Sequence, residues 1–277
     1  MKFQLMSDLH LEFGAYEPQN KGAEVLLLSG DVFVAADFVM VDQLSYAEEC
    51  EQSIEAYHKF MESASKEFDH IIHINGNHEH YNGDVAKTSE ILEERLFSHY
   101  PKAKHLNMEH FDFGDGVCVA GVTLWTDFGG GDWMWMSRAG RTMNDYNNVI
   151  KSDRPVTAQN VLQRFEPEDA YDIHREELAW LEQTLEDSDS KFVVMSHHAP
   201  SYMSSLHSHK SNDSPLYASN LDEFIESRQN ISVWCHGHVH QDFNYKIKNT
   251  RILCSPRGYH GHELRTLKYN HGIIFEV

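Results

Sequence analysis

The stretch Phe3-Gln4-Leu5-Met6-Ser7-Asp8-Leu9-His10 runs a short apolar segment straight into an Asp-x-His triplet. If the apolar part is a strand, the triplet leaves its carboxyl end with both side chains able to point the same way, since residues two apart share a face. The pattern recurs. Residues 25–28 lead into Gly30-Asp31, and 71–74 lead into Gly76-Asn77-His78-Glu79. Further strand-sized apolar runs lie at 117–122, 192–195 and 231–235. None approaches the ~20 residues that a membrane helix needs.

Between these runs, 46–68, 86–99 and 173–185 carry helical patterns, with Ile173, Leu178, Leu181 and Leu185 approximating one face. Strand alternating with helix predicts an α/β layered fold, and such folds gather their ligands at the carboxyl ends of the strands. Segments 242–247, 251–254 and 272–277 are expected to be strands that close a second sheet. Residues 124–172 break the rhythm with Gly129-Gly130-Gly131, Trp133-Met134-Trp135-Met136, Arg138, Arg141 and Asn144-Asp145-Tyr146. They are expected to form a lid inserted into a single domain spanning 1–277. The 133–146 stretch could cover the site and stack a nucleobase, or pack its own aromatics; both readings stay open.

At 277 residues with 41% hydrophobic content the chain can bury a substantial core. Its formal charge of −20, from 43 acidic against 23 basic residues, would repel a phosphodiester backbone unless metals or a local basic patch reversed the field. Long nucleic acid is therefore a poor default partner. Cys50, Cys118, Cys235 and Cys254 form no Cys-x-x-Cys pair, which favours reduced thiols over disulfides or a zinc knuckle. Asp8 arrives before any leader-like apolar run, so the expected location is the cytoplasm.

Each short motif is weak alone. A second Asp-x-His, Asp172-Ile173-His174, opens a helical pattern whose residues two apart diverge, and it is set aside. Gly237-His238-Val239-His240 is sharper, because a glycine turn lets two imidazoles converge. His207/His209 and His260/His262 share the spacing and are expected to be solvated loop histidines, while His80 stays undecided. In Gly76-Asn77-His78-Glu79 an amide oxygen can ligate without adding charge and an imidazole can move protons.

The ordered set Asp8-x-His10, Gly30-Asp31, Gly76-Asn77-His78-Glu79, His197 and Gly237-His238-x-His240 resembles the calcineurin-like metallophosphoesterase superfamily. The resemblance implies a four-layer α-β-β-α sandwich, two mixed sheets flanked by helices. It implies two divalent metal ions: one on Asp8, His10, Asp31 and His240, the other on Asp31, Asn77, His197 and His238, with Asp31 bridging. His78 becomes the proton donor to the leaving group, and His198 lies near the site. A softer resemblance, in Cys254 to Tyr259 and Asn144-Asp145-Tyr146, is to bacterial and phage-type members.

The oxygen and imidazole donors suit Mn²⁺ or Fe, with Zn²⁺ compatible. Two such ions about 3.5–4 Å apart would acidify a shared water to a hydroxide placed for attack on phosphorus. The expected activity is hydrolysis of a small phosphodiester or phosphomonoester, a nucleotide among the candidates. Arg257, Arg141, His198 and Tyr146 are the candidate substrate contacts, although a surface salt bridge is the ordinary use of either arginine. The alternatives are a metal-dependent nuclease, which the acidic charge disfavours, and a non-catalytic protein-binding scaffold, which the filled ligand positions disfavour.

Overall fold

The structure, a computed structural model, describes residues 1–43, 45–152, 163–205 and 213–277. His207, His209 and residues 153–162 of the expected lid lie outside the described residues. Strands β1 (Lys2–Met6), β2 (Val25–Ser29), β3 (His70–Ile74) and β4 (Ala103–Leu106) run parallel in one sheet. The other sheet has the order β5 (Glu109–Asp112), β6 (Val117–Gly121), β7 (Lys191–Met195), β8 (Ile231–His236), β10 (Thr250–Cys254), β9 (Phe243–Ile247). Its central four strands are parallel, and β5 and β9 close it antiparallel at either edge.

The period of two along the strands builds the layers. Phe3, Leu5, Val25, Leu27, Ile72 and Ile74 face one way and meet Val119, Val193, Met195, Val233 and Leu253 of the second sheet in one buried core. Their neighbours Met6, Leu26, Leu28 and Ile71 face the other way, under Tyr57, Phe60, Met61 and Ala64. Those four sit on the helix Ala47–Glu67, spaced at about one helical turn, and complete burial of each large side chain stabilises by roughly 1.5–3 kcal/mol. On the far side Leu181 and Leu185 of the helix Pro167–Glu186 cover Phe192, Val194, Trp234 and Ile252. The result is the four-layer sandwich of two mixed sheets between helices.

The structure departs from the sequence expectation at three places. Strand β11 (Ile273–Glu276) joins the first sheet, antiparallel to β1, with Phe275 stacked on Phe3 at 5.2 Å; only β9 and β10 extend the second. Strands β4 and β5, half polar at the sheet edges, carry no continuous apolar run and were not expected. The helix expected over 173–185 begins at Pro167, with Pro at its start and a reciprocal cap between Glu166 and Asp169. The tail of the expected lid is thus the first turns of a helix packed on the sheet. All four cysteines are buried free thiols.

The two sheets are stitched where β1 and β10 end. Ser7 N–H donates to Ser255 O at 3.1 Å, Arg257 N–H to Ser7 O at 3.0 Å and Gly258 N–H to Asp8 O at 2.9 Å. Across the second sheet, the carboxylate of Glu177 accepts the backbone N–H groups of Thr123 and Leu124 at 3.1 and 2.6 Å, tying the helix Pro167–Glu186 to the end of β6. Burial pushes that carboxyl up to about 7, the two bonds opposing the shift only in part. A carboxyl raised in the folded state contributes stability below the unfolded value near 4.5 and loses it as pH climbs through about 7. Urea unfolding at pH 5 and pH 8 should show the wild type falling relative to Glu177→Gln by about 3 kcal/mol at most. A difference between the two proteins that does not change with pH would return Glu177 to an ordinary titration.

Candidate metal centre

The motifs project from the carboxyl ends of β1, β2, β3, β7 and β8, which the two sheets bring together at one rim. Asp8, His10, Asp31, His238 and His240 all hold positive φ, between 45 and 69°. Few non-glycine residues sit there, and each costs on the order of 1–3 kcal/mol, a strain that turns successive side chains back over the strand ends. Gly30 permits a close approach: at φ 80° it lies so near that a Cβ would be 2.5 Å from His197 Nδ1.

One buried carboxylate holds the central loop in shape. Glu79 accepts the N–H groups of Asp31, Val32, Phe33 and Gly76 at 2.9, 2.7, 3.2 and 2.6 Å, with His73 Nε2 at 3.3 Å. Burial alone would discourage its charge, yet His73 and the backbone donors keep it well below the usual carboxylate range. The last residue of Gly76-Asn77-His78-Glu79 therefore builds the loop that carries Asp31.

Around Asp31 two sets of donors gather. On one side His10 Nε2 and His240 Nε2 stand 3.2 Å apart, and His240 Nε2 is 3.5 Å from Asp8 Oδ1. On the other, Asn77 Oδ1 is 3.0 Å from His197 Nε2 and 3.1 Å from His238 Nδ1. Asp31 Oδ2 lies between the sets, 3.7 Å from His10 Nε2 and 3.3 Å from His197 Nε2. Its other oxygen accepts the N–H of His78 at 2.8 Å. The clusters Asp8–His10–His240 and Asp31–His197–His238 each bring their donor atoms within 4.8 Å of one another, close enough to hold a metal ion.

The outer atoms of these side chains are tied down. Glu12 takes the Nδ1 hydrogen of His10 at 3.0 Å, Glu263 that of His240 at 2.6 Å and Ser29 O that of His197 at 2.9 Å. Each ring consequently turns its Nε2 lone pair inward, an arrangement metal-binding histidines share. The amide of Asn77 donates to Asp145 Oδ1 at 2.7 Å, which fixes its oxygen toward the cluster. Asp8 Oδ2 and His238 Nε2 are buried with no hydrogen-bond partner among the described residues. Lone pairs facing lone pairs, beside orphaned acceptors, need positive charge among them.

His78 stands at the edge of this cluster, its Nδ1 on Glu12 Oε1 at 3.0 Å and its Nε2 on the Tyr259 hydroxyl at 3.2 Å. Tyr81 stacks on the ring at 4.1 Å. Burial would lower its pKa; the charges of Asp31 and Glu12 outweigh that and raise it. His198, three residues past β7, is buried with its ring 4.1 Å from that of His238 and its own pKa driven well down by burial. It packs behind a ligand candidate.

Three expected substrate contacts point elsewhere. Arg257 is buried, its guanidinium donating to Leu9 O and Gly14 O at 3.0 Å each and lying over the ring of Tyr16. Those carbonyls consume the fork that a phosphate would need. Arg141 is exposed on the helix Trp133–Thr142, donating back to Ser137 O, and lines neither lobe of the cleft. Tyr146 is buried in an apolar cluster with Trp125, Phe128 and Phe165, its ring 6.0 Å from that of Phe165 and nearly parallel to it. Trp133 and Met134 of the expected lid project into solvent, 73% and 58% exposed. His80 bonds Thr88 and stacks on Trp125. The partners Glu12, Glu263, Tyr259 and Tyr81 were missed, because a lone carboxylate or phenol carries no motif.

A family model for calcineurin-like phosphoesterases matches residues 1–242, and the chain belongs to that family. It is 23% identical over 214 residues to an uncharacterized protein of Acanthamoeba polyphaga mimivirus, covering 73% of this chain and 72% of that one. Among solved structures it resembles a phosphopantetheinyl hydrolase from Mycobacterium tuberculosis, with TM-score 0.56 and 16% identity over 93% of this chain and 89% of the other. It also resembles a dimetal phosphatase from Danio rerio, with TM-score 0.51 and 14% identity over 92% and 86%. At these identities the likeness is one of fold. Among the described residues no helix is long and apolar enough to cross a membrane.

Without a metal, protons are the available cations. Burial opposes charge on both rings, yet Asp31 holds His197 up at about 9, while Asp8 and Glu263 hold His240 up at about 10. Both rings therefore favour the protonated form at pH 7 and each must lose a proton to ligate, so metal binding should release about two protons per chain and tighten as pH rises. Calorimetric titration with Mn²⁺ in buffers of different ionisation enthalpy measures the release. Binding without proton release would contradict this charge balance.

Proposed function

We propose that this chain is a dinuclear-metal phosphoesterase that hydrolyses a small phosphate ester. The observation carrying the reading is Asp31 Oδ2 set between two imidazole clusters, with His78 at their edge. Asp8, His10, Asp31 and His240 would hold one ion, and Asp31, Asn77, His197 and His238 the other. Mn²⁺ or Fe suits such donors, and Zn²⁺ is compatible. When bound, two divalent cations neutralise phosphoryl oxygens and make water a stronger nucleophile.

The protein's own groups supply orientation and a proton. Glu12 Oε1 bonds both His10 and His78, coupling a ligand candidate to the proton donor. With Nδ1 held there, His78 can carry its proton on Nε2, the atom that reaches the Tyr259 hydroxyl. An imidazole kept partly cationic near neutral pH suits delivery of that proton to a departing alkoxide. Among the described residues no Lys or Arg lines either lobe of the cleft, and with a formal charge of −20 this favours a small ester over a long polyanion.

On protein reconstituted with Mn²⁺, His78→Ala should keep two ions and lose roughly 10²–10⁴-fold in turnover of a chromogenic phosphate ester. Asp31→Ala should weaken binding of both ions. Elemental analysis beside the assay separates the two effects. Unchanged turnover in His78→Ala removes its role, and faster cleavage of oligonucleotides than of mononucleotide esters would replace this reading with a nuclease.

A further inference from the structure

The cleft over the metal centre has two lobes. One, about 320 Å³, is walled by Asp31, Asn77, His238 and His240. The other, about 450 Å³, is walled by Phe13, Tyr81, Asn82, Asn144, Asn148 and His262. Tyr81, Asn144 and Tyr259 line both, so the two are continuous, whereas His78 and Glu12 line only the second.

We propose that this second lobe seats the leaving group and that the group is a nucleoside, a proposal that rests on the phosphoesterase reading above. Position argues first. Hydrolysis breaks the P–O bond to the leaving group and forms one to the oxygen of water, and the departing alkoxide takes its proton from His78. The solvent side returns a proton to the imidazole. A group protonated from His78 leaves into the lobe that His78 lines.

The walls argue for the chemistry. Phe13 stays 42% exposed, touched edge to face by Tyr259, His262 and His10 at 5.2, 5.6 and 6.1 Å. An open ring beside other rings offers stacking to a planar partner, which any nucleobase provides. The side-chain amides of Asn82, Asn144 and Asn148 are not bonded to any other described residue, and a carboxamide offers a donor and an acceptor to the edge of a base. Among the described residues no Lys or Arg lines this lobe, and its carboxylate, Glu12, is already bonded to His10 and His78. A leaving group bearing a second phosphate would find only His78, which serves the departing oxygen, and a simple aliphatic alcohol would use neither rings nor amides. The volume lies within the usual range of about 300–1,000 Å³ for small-molecule sites.

The test begins on metal-free protein, titrated by calorimetry with adenosine, guanosine, cytidine and uridine, with ribose as the base-free probe. At least one nucleoside should bind saturably and ribose should not, with affinity falling about tenfold in Phe13→Ala and in Asn144→Ala. On Mn²⁺-loaded enzyme, the kcat/KM ratio of the matching nucleoside 5′-phosphate to glycerol phosphate should fall about tenfold in the same variants. Nucleoside binding with neither ester hydrolysed would sink the phosphoesterase reading and keep the lobe as a nucleoside site. Hydrolysis of both esters without nucleoside binding overturns the proposal, as does binding that survives both substitutions.

Discussion

A deficit of positive charge organises this protein. Two buried carboxylates, Asp8 and Asp31, and the half-buried Glu12 lie within reach of His10, His78, His197 and His240, and among the described residues no lysine or arginine forms an ion pair with them. Buried charge of one sign is tolerated only when something of the other sign lies among it. Protons on His197 and His240 meet part of that need, and divalent cations would meet it more completely. The strained φ values of Asp8, His10, Asp31, His238 and His240 persist because the sandwich behind them leaves those loops no other course.

Each element of that sandwich answers for one part of the geometry. The stitch between β1 and β10 sets Asp8 against the segment that carries Tyr259 and Glu263. Glu79 shapes the Asp31 loop from below, Asp145 of the lid turns the Asn77 amide, and Glu12 and Glu263 choose which ring nitrogens face inward. Carboxylates thus do their work at one remove from the donors, and the segment after β6 takes part in the site: its residues Asn144 and Asp145 line the cleft, while its aromatic residues mostly pack on one another.

Much of this was legible in the sequence where local pattern and tertiary role coincide. The apolar runs of β1, β2 and β3 are buried on both faces, and the motifs after them stand at strand ends, so their placement was legible while the ligand set came from the resemblance those motifs carry. The helix over 47–67 was legible because its buried face repeats at helical spacing. β11 was placed in the wrong sheet because pairing is decided by the core it joins, Phe275 on Phe3, and by nothing in its own residues. Edge strands β4 and β5 alternate too weakly with polar residues to stand out. Arg257 looked available for a phosphate, since only the folded chain shows the carbonyls of Leu9 and Gly14 closing on it.

The central claim is that donors from both sheets surround two neighbouring cations that share Asp31. Anomalous diffraction from crystals soaked in Mn²⁺ tests it most directly. Two peaks should appear, one among Asp8, His10 and His240 and one among Asn77, His197 and His238, each touching Asp31. A single peak, or manganese bound away from Asp31, would contradict the account.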